Sequence, residues 1–169
     1  EEVLKIFPKA ITVGAQFGVV RVQFEEAELE VATFRSDHGT LDGRHPAEVR
    51  FTHSAEEDVQ RRDFTINGLL YDPLKDKYLD FVGGQKDIEA GVIRAIGEPR
   101  ERFAEDKLRL LRALRFAARF GYRIEEKTFE AIAALHAQIT QVSRERICDE
   151  LLKMLTEGAA RRAFELRSE

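Results

Sequence analysis

The chain has 169 residues, 43% of them hydrophobic and 34% charged, which allows one sizeable core or two small ones and excludes wholesale disorder. Its net charge of −4 conceals a segregation: residues 1–60 carry 12 acids and 6 bases, whereas residues 94–123 carry 4 acids and 9 bases. That local excess fits a phosphate-binding surface or a solvated basic helix face.

No apolar run approaches the roughly 20 residues of a membrane span, and no signal-peptide pattern opens the chain. The single Cys148 cannot form an internal disulfide, and His53 and His136 are isolated, so no zinc spacing is present. A cytoplasmic setting with no membrane partner is expected. The opening EEVLKIF reads as the interior of a helix without an initiating methionine, so a preceding segment is expected. Ala10 to Val13 is β-prone. Val19–Phe24 and Ala27–Phe34 alternate apolar and polar around Glu25-Glu26, which predicts a hairpin. On its second strand Glu28, Glu30 and Ala32 share one face. Ser36–Pro46 (SDHGTLDGRHP) is polar and turn-rich and is predicted to be a mobile loop.

Val49–Thr52 is predicted as a short strand. Ser54 with Glu57 forms a capping box that starts a helix expected to continue, with room for a break, to Leu70. Tyr71–Val82 reads as a hairpin around Asp72-Pro73, ended by Gly83-Gly84. A short helix at Gln85–Ala90 and a strand at Val92–Ile96 follow, and Gly97 closes this mixed α/β portion. From Glu98 onward no strand is expected. Pro99 suits the first turn of a helix. Glu105–Tyr122 (EDKLRLLRALRFAARFGY) reads as one helix with Leu110, Leu111, Leu114, Ala117 and Ala118 on an apolar stripe and Arg112, Arg115 and Arg119 on a basic one. Helices at Glu125–His136, at Arg144–Leu155 capped by Ser143, and at Ala159–Leu166 complete the chain. The expected fold class is α+β: a mixed sheet with helices over residues 1–97, then an all-α domain over 98–169.

Three clusters carry candidate chemistry. Asp106 and Arg109, three apart on a helix, are neighbours. An ionised Asp only accepts hydrogen bonds and Arg only donates them. Adenine presents its 6-amino donor beside the N1 acceptor, and cytosine its 4-amino donor beside N3. Guanine and uracil present the reverse order. An Asp/Arg pair therefore accepts A and C and rejects G and U, each mismatch costing about 1–3 kcal/mol per unpaired group. The alternative is a surface ion pair worth a few tenths of a kcal/mol. In Arg61-Arg62-Asp63-Phe64-Thr65, the guanidinium groups can hold a triphosphate while Asp63 takes a ribose hydroxyl; the alternative is a charged helix turn with Phe64 in the core. Glu30 is a strand carboxylate suited to a divalent metal, with Glu28 on the same face. Two-metal chemistry, however, needs a group of carboxylates sharing cations about 4 Å apart, and no D-x-D stands on any strand. Asp37 and Asp42-Gly43 fall in the loop.

Taken together, the chain resembles the class II tRNA nucleotidyltransferase and bacterial poly(A) polymerase family. RRDFTING (61–68) is similar to the family's RRDFT-x-N-A motif, and EDKLRLLRALRF (105–116) to its nucleotide-reading ED-x-x-R motif. PRERFAED (99–106) resembles the flexible joint before it, SRERICDELLKML (143–155) the last neck motif, and LEVATFR (29–35) the strand that carries the third active-site carboxylate. The resemblance implies an incomplete nucleotidyltransferase palm up to Gly97 and a nucleotide-recognising helical neck after it. It implies that Glu30 is the third catalytic, Mg2+-binding carboxylate, that Arg62 and Asp63 contact phosphate and ribose, that Asp106 and Arg109 are the template for the base, and that Arg112 and Arg115 hold triphosphate. The Ser36–Pro46 loop corresponds to the family's flexible loop, implicated in switching from CTP to ATP.

The family's Gly-Gly signature and D-x-D strand are expected before Glu1, and its body and tail after Glu169, so the chain reads as an internal fragment that does not catalyse alone. Gly68 stands where the family usually has alanine, a change expected to loosen a helix slightly. The expected parent activity is template-independent addition of CMP and AMP, from CTP and ATP, to the 3′ end of tRNA or another RNA, with Mg2+ activating the 3′ hydroxyl and neutralising the triphosphate. The alternatives within the class are a bacterial poly(A) polymerase or an enzyme adding only A or only CC. Outside it stand a non-catalytic nucleotide- or RNA-binding module and a plain structural helical module.

Overall fold

The computed structural model describes residues 2–13, 18–38, 48–157 and 160–165. Helix α1 (Glu2–Ile6) leads into β1 (Ala10–Thr12), β2 (Val19–Gln23) and β3 (Glu28–Ala32), an antiparallel sheet in that order. The hairpin predicted from the alternation is present, with Arg21 opposite Glu30. Both faces of β3 are exposed. Strands β4 (Arg35–His38) and β5 (Glu48–Phe51) pair antiparallel. The predicted loop therefore begins later than expected, because Ser36 to His38 are strand. The base of this ribbon is tied down by the Thr52 N–H donating to the Phe34 carbonyl (2.9 Å) and the Arg35 N–H donating to the Asp58 carboxylate (3.2 Å). The remainder of that predicted loop, Gly39–Pro46, with Asp42 and Gly43, lies outside the described residues.

Helix α2 (Ala55–Gln60) is capped as predicted, the Glu57 N–H donating to Ser54 Oγ at 3.3 Å. It does not run on to Leu70. The chain turns out at Arg61, Phe64 is extended (φ −126°, ψ 151°), and a single 3-10 turn at Thr65–Asn67 leads into β6 (Leu69–Asp72). The reason is packing and pairing. Phe64 bridges Ala95 and is fully buried, while Thr65 N–H donates to the Arg94 carbonyl and Ile96 N–H to the Asp63 carbonyl. Those bonds replace the helical ones.

Strand β6 forms the predicted hairpin with β7 (Lys77–Asp80), its turn held by Asp72 Oδ1 accepting from the Leu74 and Lys75 N–H groups. Helix α3 (Gly84–Ala90) follows, started by the Asp80 carboxylate accepting from Gly84 and Gln85. Gly84 lies against the Thr65 carbonyl so closely that a Cβ would come within 2.2 Å of its oxygen. Strand β8 (Val92–Ile93) is shorter than the predicted Val92–Ile96.

The second part contains α4 (Pro99–Glu105), α5 (Leu108–Phe120), β9 (Arg123–Ile124), α6 (Glu126–Leu135), a 3-10 segment (His136–Gln141), α7 (Arg144–Thr156) and α8 (Ala160–Glu165). The helices stand close to where their periodicity and caps put them. The expectation of no strand after Glu98 is corrected by β9, which pairs parallel with β8. Gly121, at φ 68°, ends α5 and turns the chain so that Arg123 N–H reaches the Gly91 carbonyl and Glu125 N–H the Ile93 carbonyl.

The main core joins Phe64, Ile93 and Ala95 to Phe103, Leu110, Ala113, Ala117, Ala131 and Ile132, so it lies on both sides of Gly97. A smaller cluster seats Ala118, Met154 and Ala163 between α5, α7 and α8. The fold class is α+β, as expected. Among the described residues no helix is long and apolar enough to cross a membrane.

Candidate functional site

The predicted single helix over Glu105–Tyr122 is broken at its start. Asp106 is extended (φ −148°, ψ 105°) between α4 and α5. Its Oδ1 accepts from the Leu108 N–H at 3.1 Å, a local bond that competes with continuing the helix. Asp106 and Arg109 are consequently neighbours across a break, tied through the Arg109 N–H donating to the Asp106 carbonyl at 3.1 Å. Their side chains have separate partners. Arg146 of α7 donates twice to the Asp106 carboxylate, at 3.2 and 2.7 Å. Arg109 donates to Glu105 at 2.7 Å, to the Arg102 carbonyl at 2.8 Å and to the Arg61 carbonyl at 3.2 Å.

That last bond brings in the second predicted cluster. Asp58, 2% exposed, is its hub. One carboxylate oxygen takes Arg61 Nε and Nη2 (3.0 and 2.7 Å), and the other takes Arg62 Nε and Nη2 (3.2 and 2.9 Å). Burial alone raises the pKa of such a carboxyl, but the hydrogen bonds from Arg62 and Arg61, the Arg61 charge and the Arg35 N–H bring it below the usual value. Arg62 also donates to the Asn67 carbonyl at 3.0 Å and keeps about a third of its side chain exposed. Asp63, nearly buried, accepts from its neighbour Phe64 N–H and from Asn67 Nδ2, both at 2.9 Å, and from Arg112 Nε at 2.7 Å. Arg62, Asp63, Asp106, Arg109 and Arg112 thus meet where the Arg61–Asn67 segment crosses the start of α5.

Arg115 does not join them. It was expected on a phosphate-facing stripe with Arg112 and Arg119, yet it is 5% exposed, pairs with Glu150 at 2.5 Å and lies over the Phe116 ring at 4.2 Å. The two side chains are only about 60° apart around the helix, but Arg112 reaches Asp63 whereas Arg115 reaches Glu150 of α7. Glu30 is also apart from the cluster's partners. On β3 it faces Arg21 at 3.4 Å, and Arg21 contacts Glu28 at 2.8 Å. Among the described residues no group of three or more His, Cys, Asp or Glu could hold a metal ion. Glu30 is one carboxylate beside a guanidinium, and these residues do not make a magnesium site.

The sequence reading missed Asp58, Glu105, Arg146 and Glu150. Asp58 and Glu105 had a local signal, since each stands three or four residues from its arginine in the sequence. Arg146 and Glu150 had none, being 40 and 35 positions from their partners.

A family model described as "Poly A polymerase head domain" matches residues 1–94, and one described as "Probable RNA and SrmB- binding site of polymerase A" matches residues 121–167. The CCA-adding enzyme of Enterococcus faecalis is 45% identical over 155 residues, 92% of this chain and 38% of the relative. That of Bacillus subtilis is 41% identical over 165 residues, 98% of this chain and 41% of the relative. The crystal structure of the Bacillus stearothermophilus CCA-adding enzyme in complex with CTP superimposes with a TM-score of 0.86 at 37% identity, over 97% of this chain and 39% of that one. The chain therefore spans about two fifths of the length of the relatives it matches.

Proposed function

The chain belongs to the poly(A) polymerase head-domain family, and from that membership we propose that it is the nucleotide-selecting part of a tRNA nucleotidyltransferase that adds CCA. The reaction is attack of an RNA 3′ hydroxyl on the α-phosphorus of CTP or ATP. The new P–O bond joins CMP or AMP to the RNA, the α–β phosphoanhydride breaks, pyrophosphate leaves, and the hydroxyl proton is lost to solvent. Residues 1–97 act as palm and residues 98–169 as neck, in a cytoplasmic setting where RNA ends and nucleoside triphosphates meet.

The observation that carries this reading is the Arg109 guanidinium donating to the Arg61 carbonyl beside the Arg112–Asp63 pair. It unites the arginine-rich segment with the helix break. Arg62, partly exposed and oriented by Asp58, takes phosphate oxygens. Asp63 takes a ribose hydroxyl in exchange for part of its Arg112 contact, which turns Arg112 toward the triphosphate. Asp106 accepts from the exocyclic amine of C or A, and Arg109 donates to the adjacent ring nitrogen. Arg115 holds the neck helices instead of phosphate. Glu30, beside Arg21, would supply at most one carboxylate to a magnesium ion, which does not by itself make a site. The curated relatives are named CCA-adding enzymes, and the family model over residues 121–167 describes an RNA-binding site, which supports an RNA 3′ end as the acceptor.

The test is to give the full-length protein tRNA that ends before CCA, with CTP and ATP. Addition of C, C and A supports the reading. A long A tail points to a poly(A) polymerase, and use of CTP alone or ATP alone to a partial enzyme.

A further inference from the structure

Arg146 belongs to the sequence motif SRER, to which no role in choosing a nucleotide was assigned, yet its guanidinium is committed to one carboxylate, that of Asp106. Nη1 donates to Oδ1 at 3.2 Å and Nη2 to Oδ2 at 2.7 Å. Both side chains are about four-fifths buried. A fork-on-carboxylate contact of this kind fixes the plane of the carboxylate as well as its place.

The acceptor count gives that fixing a consequence. Each carboxylate oxygen offers two lone-pair directions. Oδ1 takes Arg146 Nη1 and the Leu108 N–H, which fills it. Oδ2 takes Arg146 Nη2 and keeps one direction open. Arg109, on the next turn, commits three of its five N–H groups to Glu105 and to the carbonyls of Arg102 and Arg61, which leaves two. The break between α4 and α5 thus offers one acceptor at a set angle and two donors beside it. Asp106 is not inside a helix, and the local Leu108 N–H holds Oδ1 alone. The fork from α7, 40 residues away, holds both oxygens.

We propose that Arg146 is a positioning residue for nucleotide choice: it orients Asp106 so that a single lone pair meets the exocyclic amine of C or A. This rests on the reading of Asp106 as the base-contacting acceptor. Without the fork, only the Leu108 N–H bond to Oδ1 remains, the carboxylate can pivot about it, and a carbonyl-presenting base is no longer opposed by a fixed acceptor.

The experiment is equilibrium titration of the full-length protein with CTP and with UTP, for wild type, Asp106→Ala, Arg146→Gln and Arg146→Lys, each checked for folding by thermal melting. CTP and UTP share the triphosphate and ribose, so a change in fold or phosphate contacts moves both together. The wild type is expected to prefer CTP about tenfold or more. Arg146→Gln is expected to reduce that preference to within about threefold of the Asp106→Ala value, and Arg146→Lys, which keeps the charge but loses the fork, to fall between. If Arg146→Gln does not fold, Arg146→Lys decides: an undiminished CTP preference in a folded lysine variant overturns the proposal. Loss of preference in Asp106→Ala with full preference in both Arg146 variants overturns the positioning role and leaves Asp106 as base reader. No preference in the wild type overturns the base-reading role and the positioning role together.

Discussion

Arg112 Nη2 lies 2.6 Å from Asp63 Oδ2, and this pair joins α5 to the segment that follows α2. Asp63 is the more deeply buried partner and has three kinds of donor; Arg112 keeps nearly a third of its side chain in solvent. The two truncations are therefore unequal. Asp63→Ala strips acceptors from Asn67, Phe64 N–H and Arg112 together and is expected to cost about 2–3 kcal/mol. Arg112→Ala leaves Asp63 two of its donors and is expected to cost about 1 kcal/mol. Urea unfolding of the two variants checks the order; equal losses contradict it.

Asp58 gives the fold an acid-sensitive latch. Its folded pKa is lowered by Arg62, Arg61 and the Arg35 N–H against the opposing effect of burial. A depressed carboxylate pKa contributes stability that is fully present above the unfolded value, about 3.9, and is lost as pH falls through the folded value. Asp58→Asn is expected to be less stable than wild type at pH 7, with the gap constant down to about pH 5 and closing below about pH 4. Unfolding free energies at stepped pH test this, and a gap that widens toward acid contradicts it.

Arg115 and Arg119 are four positions apart on α5 and differ in burial. Arg115 is enclosed with Glu150, whereas Arg119 meets Glu157 at 3.0 Å with 45% of its side chain exposed. Removing Arg115 leaves the buried Glu150 with only the long contact to Lys153 at 3.9 Å, and Arg115→Ala is expected to cost about 3 kcal/mol. Arg119→Ala should change stability by less than about 1 kcal/mol. Chemical denaturation of both variants distinguishes this from a uniformly solvated basic stripe, for which the losses are alike and small.

Gly68 was expected to loosen a helix, but no helix is there. It follows the 3-10 turn at φ −96°, ψ 0°, and a Cβ added to it would come within 2.6 Å of Val82 Cγ2 and 2.9 Å of Val59 Cγ1. The space that a Cβ at position 68 would take is occupied by two valine methyls. Gly68→Ala is expected to destabilise by about 1–3 kcal/mol through overpacking. A gain of about 0.4–1 kcal/mol, the backbone-entropy benefit of alanine in an accommodating site, is the contrary result.

Most helices and hairpins were legible because their signals are local. Ser54 caps α2, Pro99 opens α4, and the alternation from Val19 to Ala32 pairs as expected. The errors fell where long-range bonds overrule local preference. Helix α2 stops because Phe64 is drawn out to Ala95. The helix through Glu105 and Asp106 breaks because Arg146 and the Leu108 N–H claim the Asp106 carboxylate, and β9 exists because β8 supplies its partner. At the candidate site, Arg62, Asp63, Asp106, Arg109 and Arg112 were each singled out from the sequence, and the structure brings the Arg61–Asn67 segment against the start of α5. Their counter-charges were not, since Arg146 and Glu150 carry no periodic or capping signal that points back to α5.

The central claim is that the break at Asp106 distinguishes bases by the order of their donors and acceptors. Equilibrium binding of CTP, ATP, GTP and UTP to the full-length protein, at one ionic strength, measures this most directly. CTP and ATP are expected to bind about tenfold or more tighter than UTP and GTP, with Asp106→Ala bringing the four together and Arg62→Ala weakening all four alike. Equal binding of the four nucleotides by the wild type contradicts the account.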